Sequence, residues 1–209
     1  MSGAEAVTAF TALFVVIDPV GTTPIFLALT AGLSPRARRA IALRAVGVAA
    51  GLLVLFALAG EALLAFLGIT MPAFRIAGGL LLFLTALEML FGRRNARRDE
   101  ARDRSAADRA AEVGADDPSV FPLALPLLAG PGAIATMILL ADGASPLATA
   151  QAIGVMLAVL ALCLTLFQLA HPLERLLGAV GINVVTRLLG MLLAALSVQF
   201  VLDGLSAIW

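Results

Sequence analysis

Six long apolar runs, separated by shorter polar stretches, dominate the hydropathy pattern of the chain. A helix that crosses the ~30 Å hydrocarbon core of a bilayer needs about 20 mostly apolar residues. The runs are rich in Leu, Ala, Val and Gly, and they are much longer than the alternating segments of about ten residues that are typical of barrel strands. The pattern therefore predicts an all-α membrane protein with six transmembrane helices, at 4–29, 40–67, 73–91, 120–141, 149–170 and 184–206.

The composition supports a membrane environment. Hydrophobic residues make up 61% of the chain and charged residues 13%, and the mean hydropathy is +1.04. Soluble domains usually contain about 45 to 50% apolar residues. We therefore expect the lipid bilayer to be the main partner of this chain.

The positions of the basic residues predict the orientation in the membrane. All 14 basic residues are Arg, and 13 of them fall in or beside the first, third and fifth connections, whereas only Arg75 falls beside the second. Basic residues near the ends of spans are retained in the cytoplasm. The distribution predicts that both termini lie outside the cytoplasm, in a multi-pass protein of the cell inner membrane.

The chain also shows an internal repeat at a spacing of 112 residues. Each half contains three predicted spans, and an odd number makes the second half enter the membrane from the opposite side. The pattern predicts two inverted three-helix repeats, 1–91 and 120–209, joined by a polar cytoplasmic connection, 92–119. The shift aligns Asp18-Pro-Val-Gly with Gly130-Pro-Gly-Ala, Arg75 with Arg187, Gly78 with Gly190 and Thr85 with Ser197.

Helices one and four each contain a cluster of Pro and Gly near their middle. Pro removes a backbone donor and Gly permits backbone angles closed to other residues, so each cluster should interrupt its helix. Such a kink can serve packing alone. Interrupted helices at matching depth in inverted repeats are also typical of transporter binding sites. The residues that we single out as substrate-binding are Asp18, Pro19, Gly21, Thr22, Thr23, Pro24, Gly130, Pro131 and Gly132, with Pro126 helping to hold the second break open.

Asp18 is the most informative single residue. A charge at the bilayer centre costs at least ~2.5 kcal/mol on insertion scales, so the carboxyl group needs a partner, a wet cavity or a proton. One interpretation is a cap on the second half-helix. The other is a contact to a substrate amine or a proton-coupling role. A small zwitterion would suit a break that offers both helix amides and carbonyls.

Other classes of function find little support in the sequence. We find no metalloprotease motif or nucleophile elbow, and the single Cys163 has no neighbouring His in the sequence. We therefore expect no enzyme, no metal and no cofactor beyond a coupling proton or sodium ion. The Arg residues form no basic nucleic-acid-binding face, so no nucleic acid partner is expected, and a homo-oligomer is compatible with the sequence.

Residues 18–26, DPVGTTPIF, and 122–136, PLALPLLAGPGAIAT, resemble the paired signatures of the MarC family of bacterial and archaeal inner-membrane proteins. Val201-Leu-Asp-Gly near the carboxyl end is similar as well. The resemblance covers essentially the whole chain and implies transport of a small neutral amino acid such as glycine or alanine. Family members carry Asn or Asp at the position of Asp18.

These observations predict a secondary transporter that works by alternating access around a site between helices one and four. Its expected solute is a small polar molecule, with small neutral amino acids first. A channel that uses the same breaks to line a continuous path and a scaffold protein without transport remain the alternatives.

Overall fold

The computed structural model describes residues 2–91 and 117–208, and at 171–177, 179 and 182 it describes the backbone alone. The predicted connection 92–119 therefore lies outside the described residues except for its last three positions. The described part of the chain consists of helices and connecting turns. The prediction of an all-α protein is confirmed.

Residues 2–91 and 117–208 form seven α-helices and one distorted segment. The distorted segment, Ser119–Leu128, has π-type hydrogen bonding and contains extended residues at Phe121 and Leu125. The helices are α1 (Gly3–Ile17), α2 (Pro19–Leu29), α3 (Pro35–Phe66), α4 (Met71–Leu90), α5 (Pro131–Ala141), α6 (Pro146–Gln168) and α7 (Ala170–Ser206).

Local sequence signals set where these helices begin. Ser2 and Glu5 form a capping box at α1. The hydroxyl groups of Ser34, Thr70 and Ser145 each accept a hydrogen bond from a backbone N–H of the first turn of α3, α4 and α6. Each of these caps satisfies one of the amides that a helix start leaves without a partner.

Five helical stretches of the described chain are long and apolar enough to cross a membrane, and a sixth is added if the Ser119–Leu128 segment and α5 count as one span. The first of the five joins α1 and α2. The sixth is bent by 56° where its two parts meet. The structure is therefore compatible with the six predicted spans, two of which are interrupted.

The last predicted span, 184–206, agrees with the apolar stretch Asn183–Ser206, but the predicted connection before it is helical. The sequence placed residues 171–183 in a connection, but α7 begins at Ala170 and runs through them to Ser206. Its stretch 183–206 is the apolar part, and Gly178, with a φ of 62°, interrupts the regular helix before it. Hydropathy identifies the stretch that can lie in lipid, and it cannot distinguish a polar helical extension from a loop.

The packing pairs each half of the chain with the other. Helix α3 packs on the Ser119–Leu128 segment and on α5, whereas α6 packs on α1 and α2. Helix α4 packs on α5, α7 packs on α2, and α4 and α7 pack on each other. Exchanging the two halves turns each of these contacts into another one named here, except the α4–α7 contact, which stays the same.

Opposite ends of the bundle are identified by the contacts between distant residues. Glu5, Arg75, Ala144 and Asp203 line one cavity, so α1 and α4 begin, and α5 and α7 end, at the same face. We call this the terminal face. At the opposite face, Arg44 in the first third of α3 forms an ion pair with Asp117, just before the Ser119–Leu128 segment. Glu5 near the start of the first interrupted span and Asp117 just before the second therefore lie toward opposite faces.

Candidate functional site

The first break is a single residue, Asp18, that ends α1 and begins α2. It has left-handed backbone angles, with φ 51° and ψ 64°. Its N–H donates to the Phe14 carbonyl, and its Oδ1 accepts from the Gly21 N–H at 2.9 Å. The side chain is fully buried. Asp is among the residues that tolerate this conformation, because its short side chain can hydrogen-bond locally.

Residues after Asp18 fit closely around this cap. A methyl group on Gly21 would overlap the Asp18 carboxylate, so the position requires glycine. The Thr22 hydroxyl donates to the Asp18 carbonyl at 2.9 Å, and the Thr23 hydroxyl donates to the Pro19 carbonyl at 2.7 Å. The Thr22 oxygen also lies 3.8 Å from Cys163 Sγ, and the Thr23 oxygen can still accept a hydrogen bond.

Two prolines shape α2 on either side of these threonines. Pro19 occupies the first turn, where a missing N–H costs little. Pro24 lies inside the helix and cannot donate to the carbonyl of Val20. Both proline side chains are buried. The segment therefore offers carbonyl groups as well as the hydroxyls.

The second break lies at Ala129 and Gly130. Gly130 precedes α5 with extended backbone angles, and Pro131 is the first residue of the helix. A methyl group on Gly130 would lie 2.5 Å from the Pro126 carbonyl oxygen, so the chain needs glycine there. Among the described residues, no side chain caps the amino end of α5. The first amides of α5 therefore differ from those of α2, which have the Asp18 carboxylate.

Gly132 brings the two breaks together. A methyl group there would overlap Leu82 of α4 and lie 3.2 Å from Val16 Cγ1, which is two residues before Asp18. The start of α5 thus lies against the end of α1.

The predicted site residues differ in how deeply they lie. Pro131 is exposed. Gly21 and Gly130 are half-buried. The buried members are Asp18, Pro19, Thr22, Thr23, Pro24 and Gly132.

A cavity of about 630 Å³ opens at the terminal face between the two broken spans. Residues of α1 and α5 line the cavity together with residues of α4, α6 and α7. Ala12 and Thr136 border the cavity one to two helical turns from Asp18 and Gly132. Closer to the breaks lie three buried residues, Val16, Leu82 and Gly132. Buried residues therefore separate the cavity from the two breaks.

Charged residues surround the mouth of this cavity. Arg75 Nη2 lies 3.5 Å from Asp142 Oδ2, with side chains 28% and 30% exposed. Asp203 Oδ1 accepts from Gln199 Nε2 at 2.6 Å. The sequence interpretation used Arg75 only for the membrane orientation and the repeat alignment. What it missed is that Arg75 and Asp203, far apart in the chain, line one cavity.

A different ion pair lies toward the opposite face. Asp117 accepts hydrogen bonds from the Ser119 hydroxyl and the Ser119 N–H, and it pairs with Arg44. The bonds from Ser119 lower the pKa of the Asp117 carboxyl below its ordinary value, and the Arg44 guanidinium acts in the same direction. The carboxylate is therefore the stable form at this position near neutral pH.

Comparison with known proteins gives a consistent family over nearly the whole chain. The profile described as "MarC family integral membrane protein" matches residues 4–209. A "UPF0056 membrane protein" of Aquifex aeolicus is 37% identical over 204 residues, which cover 97% of this chain and 93% of the relative. One from Archaeoglobus fulgidus is 39% identical over 203 residues, 94% of this chain and 90% of the relative.

A third relative carries a cellular location in its name. The "UPF0056 inner membrane protein YhgN" of Escherichia coli is 35% identical over 202 residues, 96% of each chain. No solved structure matches the chain.

Proposed function

The chain belongs to the MarC family of integral membrane proteins, and we propose that it is a secondary transporter of small neutral amino acids such as alanine or glycine. It works by alternating access around the two helix breaks. The inner membrane is its proposed location, with both termini outside the cytoplasm, as the distribution of Arg residues favours. No enzymatic reaction is part of the proposal.

The observation that carries the proposal is the cavity between the broken spans. It is open at the terminal face, and buried residues separate it from both breaks. A carrier in one of its two end states has this shape, since the solute must reach the site from one side only. If the breaks served packing alone, a cavity lined by both interrupted helices would not be expected.

The breaks offer complementary groups for a zwitterion. Asp18 lies in the first break at the position that Gly130 occupies in the second, given the shift of 112 residues. The α2 amino end thus carries its own carboxylate, whereas the α5 amino end has no side-chain cap from the described residues. A solute carboxylate suits the amides of α5, because a helix amino end carries partial positive charge. The ammonium group then faces Asp18, the Thr22 and Thr23 hydroxyls and the Val20 carbonyl.

Inverted repeats supply the second end state. The two interrupted spans begin toward opposite faces, and exchanging the halves turns each helix contact named above into another or leaves it the same. A small change that moves each half into the other's arrangement would close the cavity at the terminal face and open an equivalent one at the opposite face. Proton or sodium coupling would bias this exchange, and Asp18 is the candidate ion-coupling residue.

A channel is the second candidate, since the same breaks could line a pore. The buried residues Val16, Leu82 and Gly132 favour a carrier over an open pore. A scaffold without transport is the third candidate, and under it the cavity has no solute.

Solute counterflow separates these functions. Proteoliposomes are loaded with unlabelled alanine and diluted into labelled alanine or glycine, with and without an imposed pH or sodium gradient. A carrier accumulates label transiently above the level in empty liposomes, because exchange is faster than net efflux. A pore gives only equilibration, and a scaffold gives no uptake.

Two matched glycine variants connect the flux to the breaks. Gly132→Val places a side chain against Leu82 and Val16, whereas Gly154→Val projects into open space on α6. We expect Gly132→Val to abolish counterflow and Gly154→Val to retain it, with both proteins monodisperse after purification. Equal flux in the two variants, or no flux of either amino acid in the wild type, would overturn the proposal.

A further inference from the structure

The cavity at the terminal face has the properties of a binding site in its own right. Its volume of about 630 Å³ falls within the range of ~300 to 1,000 Å³ that is usual for small-molecule sites. Its lining differs from mouth to depth. Charged residues, Glu5, Arg75 and Asp203, belong to the ends of their helices, whereas Ala9, Ala12 and Thr136 lie further along α1 and α5.

Charges of both signs meet at the mouth. Arg75 makes one long contact, 3.5 Å, to Asp142, and a guanidinium has several further N–H donors in a fixed fork. Asp203 accepts a hydrogen bond from Gln199 through Oδ1, and a carboxylate can accept several more. Glu5 accepts from the Ser2 N–H. One base and three acids therefore surround this opening.

The deep end restricts the size of what can enter. Ala9 and Ala12 present only methyl groups on one side, and the Thr136 hydroxyl is already bonded to the Gly132 carbonyl on the other. This part of the cavity suits hydrogen, methyl or another small substituent rather than a charged chain, because a buried charge without a partner is costly.

We propose that this cavity is an entry site that binds an α-amino acid zwitterion before it reaches the breaks. Arg75 holds the carboxylate, Asp203 holds the ammonium group, and the small side chain points toward Ala9 and Ala12. Glu5 and Asp142 add negative potential, which repels solutes that carry only a carboxylate. The inference rests on the proposed transport function and adds a second site, nearer the terminal face than the helix breaks.

The site requires a ligand that carries both a carboxylate and an ammonium group. Ethylamine keeps the ammonium group of alanine but offers nothing to Arg75. Propionate keeps the carboxylate but leaves Asp203 without a partner and meets the acidic mouth. Each of the two should bind more weakly than alanine by about tenfold or more, as expected when a charged hydrogen-bonding partner is lost.

The test measures binding separately from flux. In a Cys163→Ser background, Thr8→Cys places a thiol on the exposed wall of the cavity, and its reaction with a membrane-impermeant maleimide is followed in proteoliposomes. Alanine should slow the reaction with a saturable dependence, whereas equal concentrations of ethylamine and propionate should protect at least about tenfold less. Ile69→Cys, exposed in the turn between α3 and α4, is the control that alanine should leave unchanged.

Charge variants then assign the partners. Arg75→Gln and Asp203→Asn should each raise the alanine concentration for half protection by about tenfold or more. Glu61→Gln should leave it unchanged, because Glu61 lines a separate cavity of about 380 Å³ at the same face. Thermal denaturation of each variant in detergent checks folding, and the comparison of the three ligands in the Thr8→Cys protein needs no charge variant.

The outcomes distinguish failure of the entry site from failure of the transport function. Counterflow without protection of Thr8→Cys would overturn the entry site and leave transport standing. Protection without counterflow would support the site and overturn the transport function. Equal protection by alanine, ethylamine and propionate would overturn the assignment of Arg75 and Asp203.

Discussion

Asp18 shapes the first break through both its backbone and its side chain. Its backbone makes the turn between α1 and α2, and its carboxylate caps α2 through the Gly21 N–H. The sequence interpretation left a structural cap and a functional contact as alternatives, and the geometry shows that the cap is present. A cap requires an acceptor oxygen but no charge, so the two roles can be separated by substitution.

We expect Asp18→Asn to preserve stability and Asp18→Ala to lose it. Asn caps helices about as well as Asp and tolerates left-handed backbone angles. Ala loses the cap, at about 0.5 to 2 kcal/mol, and adopts the left-handed conformation at a further cost of ~1 to 2 kcal/mol. For a chain of this size that corresponds to a fall in the thermal midpoint on the order of 4 to 12 °C.

Thermal denaturation in detergent micelles measures the first effect, and counterflow measures the second. If Asp18 couples an ion, Asp18→Asn should keep the thermal midpoint but lose the response to the coupling gradient. A stable Asp18→Asn protein with unchanged gradient-driven uptake would limit Asp18 to the cap.

Glycines determine how closely α4 and α7 approach each other. A methyl group on Gly79 would lie 2.8 Å from the Ser197 carbonyl oxygen, and one on Gly190 would lie 3.0 Å from Met89 Cβ. Small residues permit such backbone contact between membrane helices, where lipid provides no hydrophobic drive for association. The contact between α4 and α7 joins the third span of one half to the third span of the other.

Alanine substitutions at Gly79 and Gly51 should change stability in opposite directions. Ala favours a helix over Gly by about 1 kcal/mol, and Gly51 in α3 faces open space, so Gly51→Ala should raise the thermal midpoint by ~2 to 4 °C. Gly79→Ala should lower it, because its methyl group must displace the α7 backbone. A rise for both variants would contradict the close contact between α4 and α7.

The sequence could predict most elements because each depends on local signals. Apolar length identified the spans, and the Pro and Gly clusters identified both interruptions. The beginning of α7 could not be predicted in this way, because residues 170–182 are too polar to resemble a span. They are nevertheless helical on both sides of the interruption at Gly178. Their helical state depends on backbone hydrogen bonds that hydropathy does not report.

The cavity forms where helices from distant parts of the chain pack together, and the sequence offered no direct signal for it. Arg75 and Asp203 are separated by most of the chain, and each alone is typical of an anchor at a helix end. Only the packing of α7 against both α4 and α1 brings them to one opening. The interruptions of the two helices were predictable from Pro and Gly, whereas the cavity near them required the fold.

The repeat makes a prediction about residues that the present conformation buries. Ala12 borders the open cavity, and a shift of 112 residues aligns it with Ala124 in the Ser119–Leu128 segment. Ala124 is completely buried, whereas Ala12 retains 8% exposure. In the alternate conformation Ala124 should border the equivalent cavity at the opposite face.

Thiol accessibility at this pair tests alternating access most directly. Ala12→Cys and Ala124→Cys are made one at a time in a Cys163→Ser protein that retains counterflow, and a small impermeant methanethiosulfonate reagent is applied from each side of the membrane. We predict that Ala12→Cys reacts only from the terminal face and Ala124→Cys only from the opposite face. Transported alanine should shift the two rates in opposite directions. An Ala124→Cys thiol that never reacts in an actively transporting protein, or two thiols that react at rates independent of alanine, would contradict alternating access between these halves.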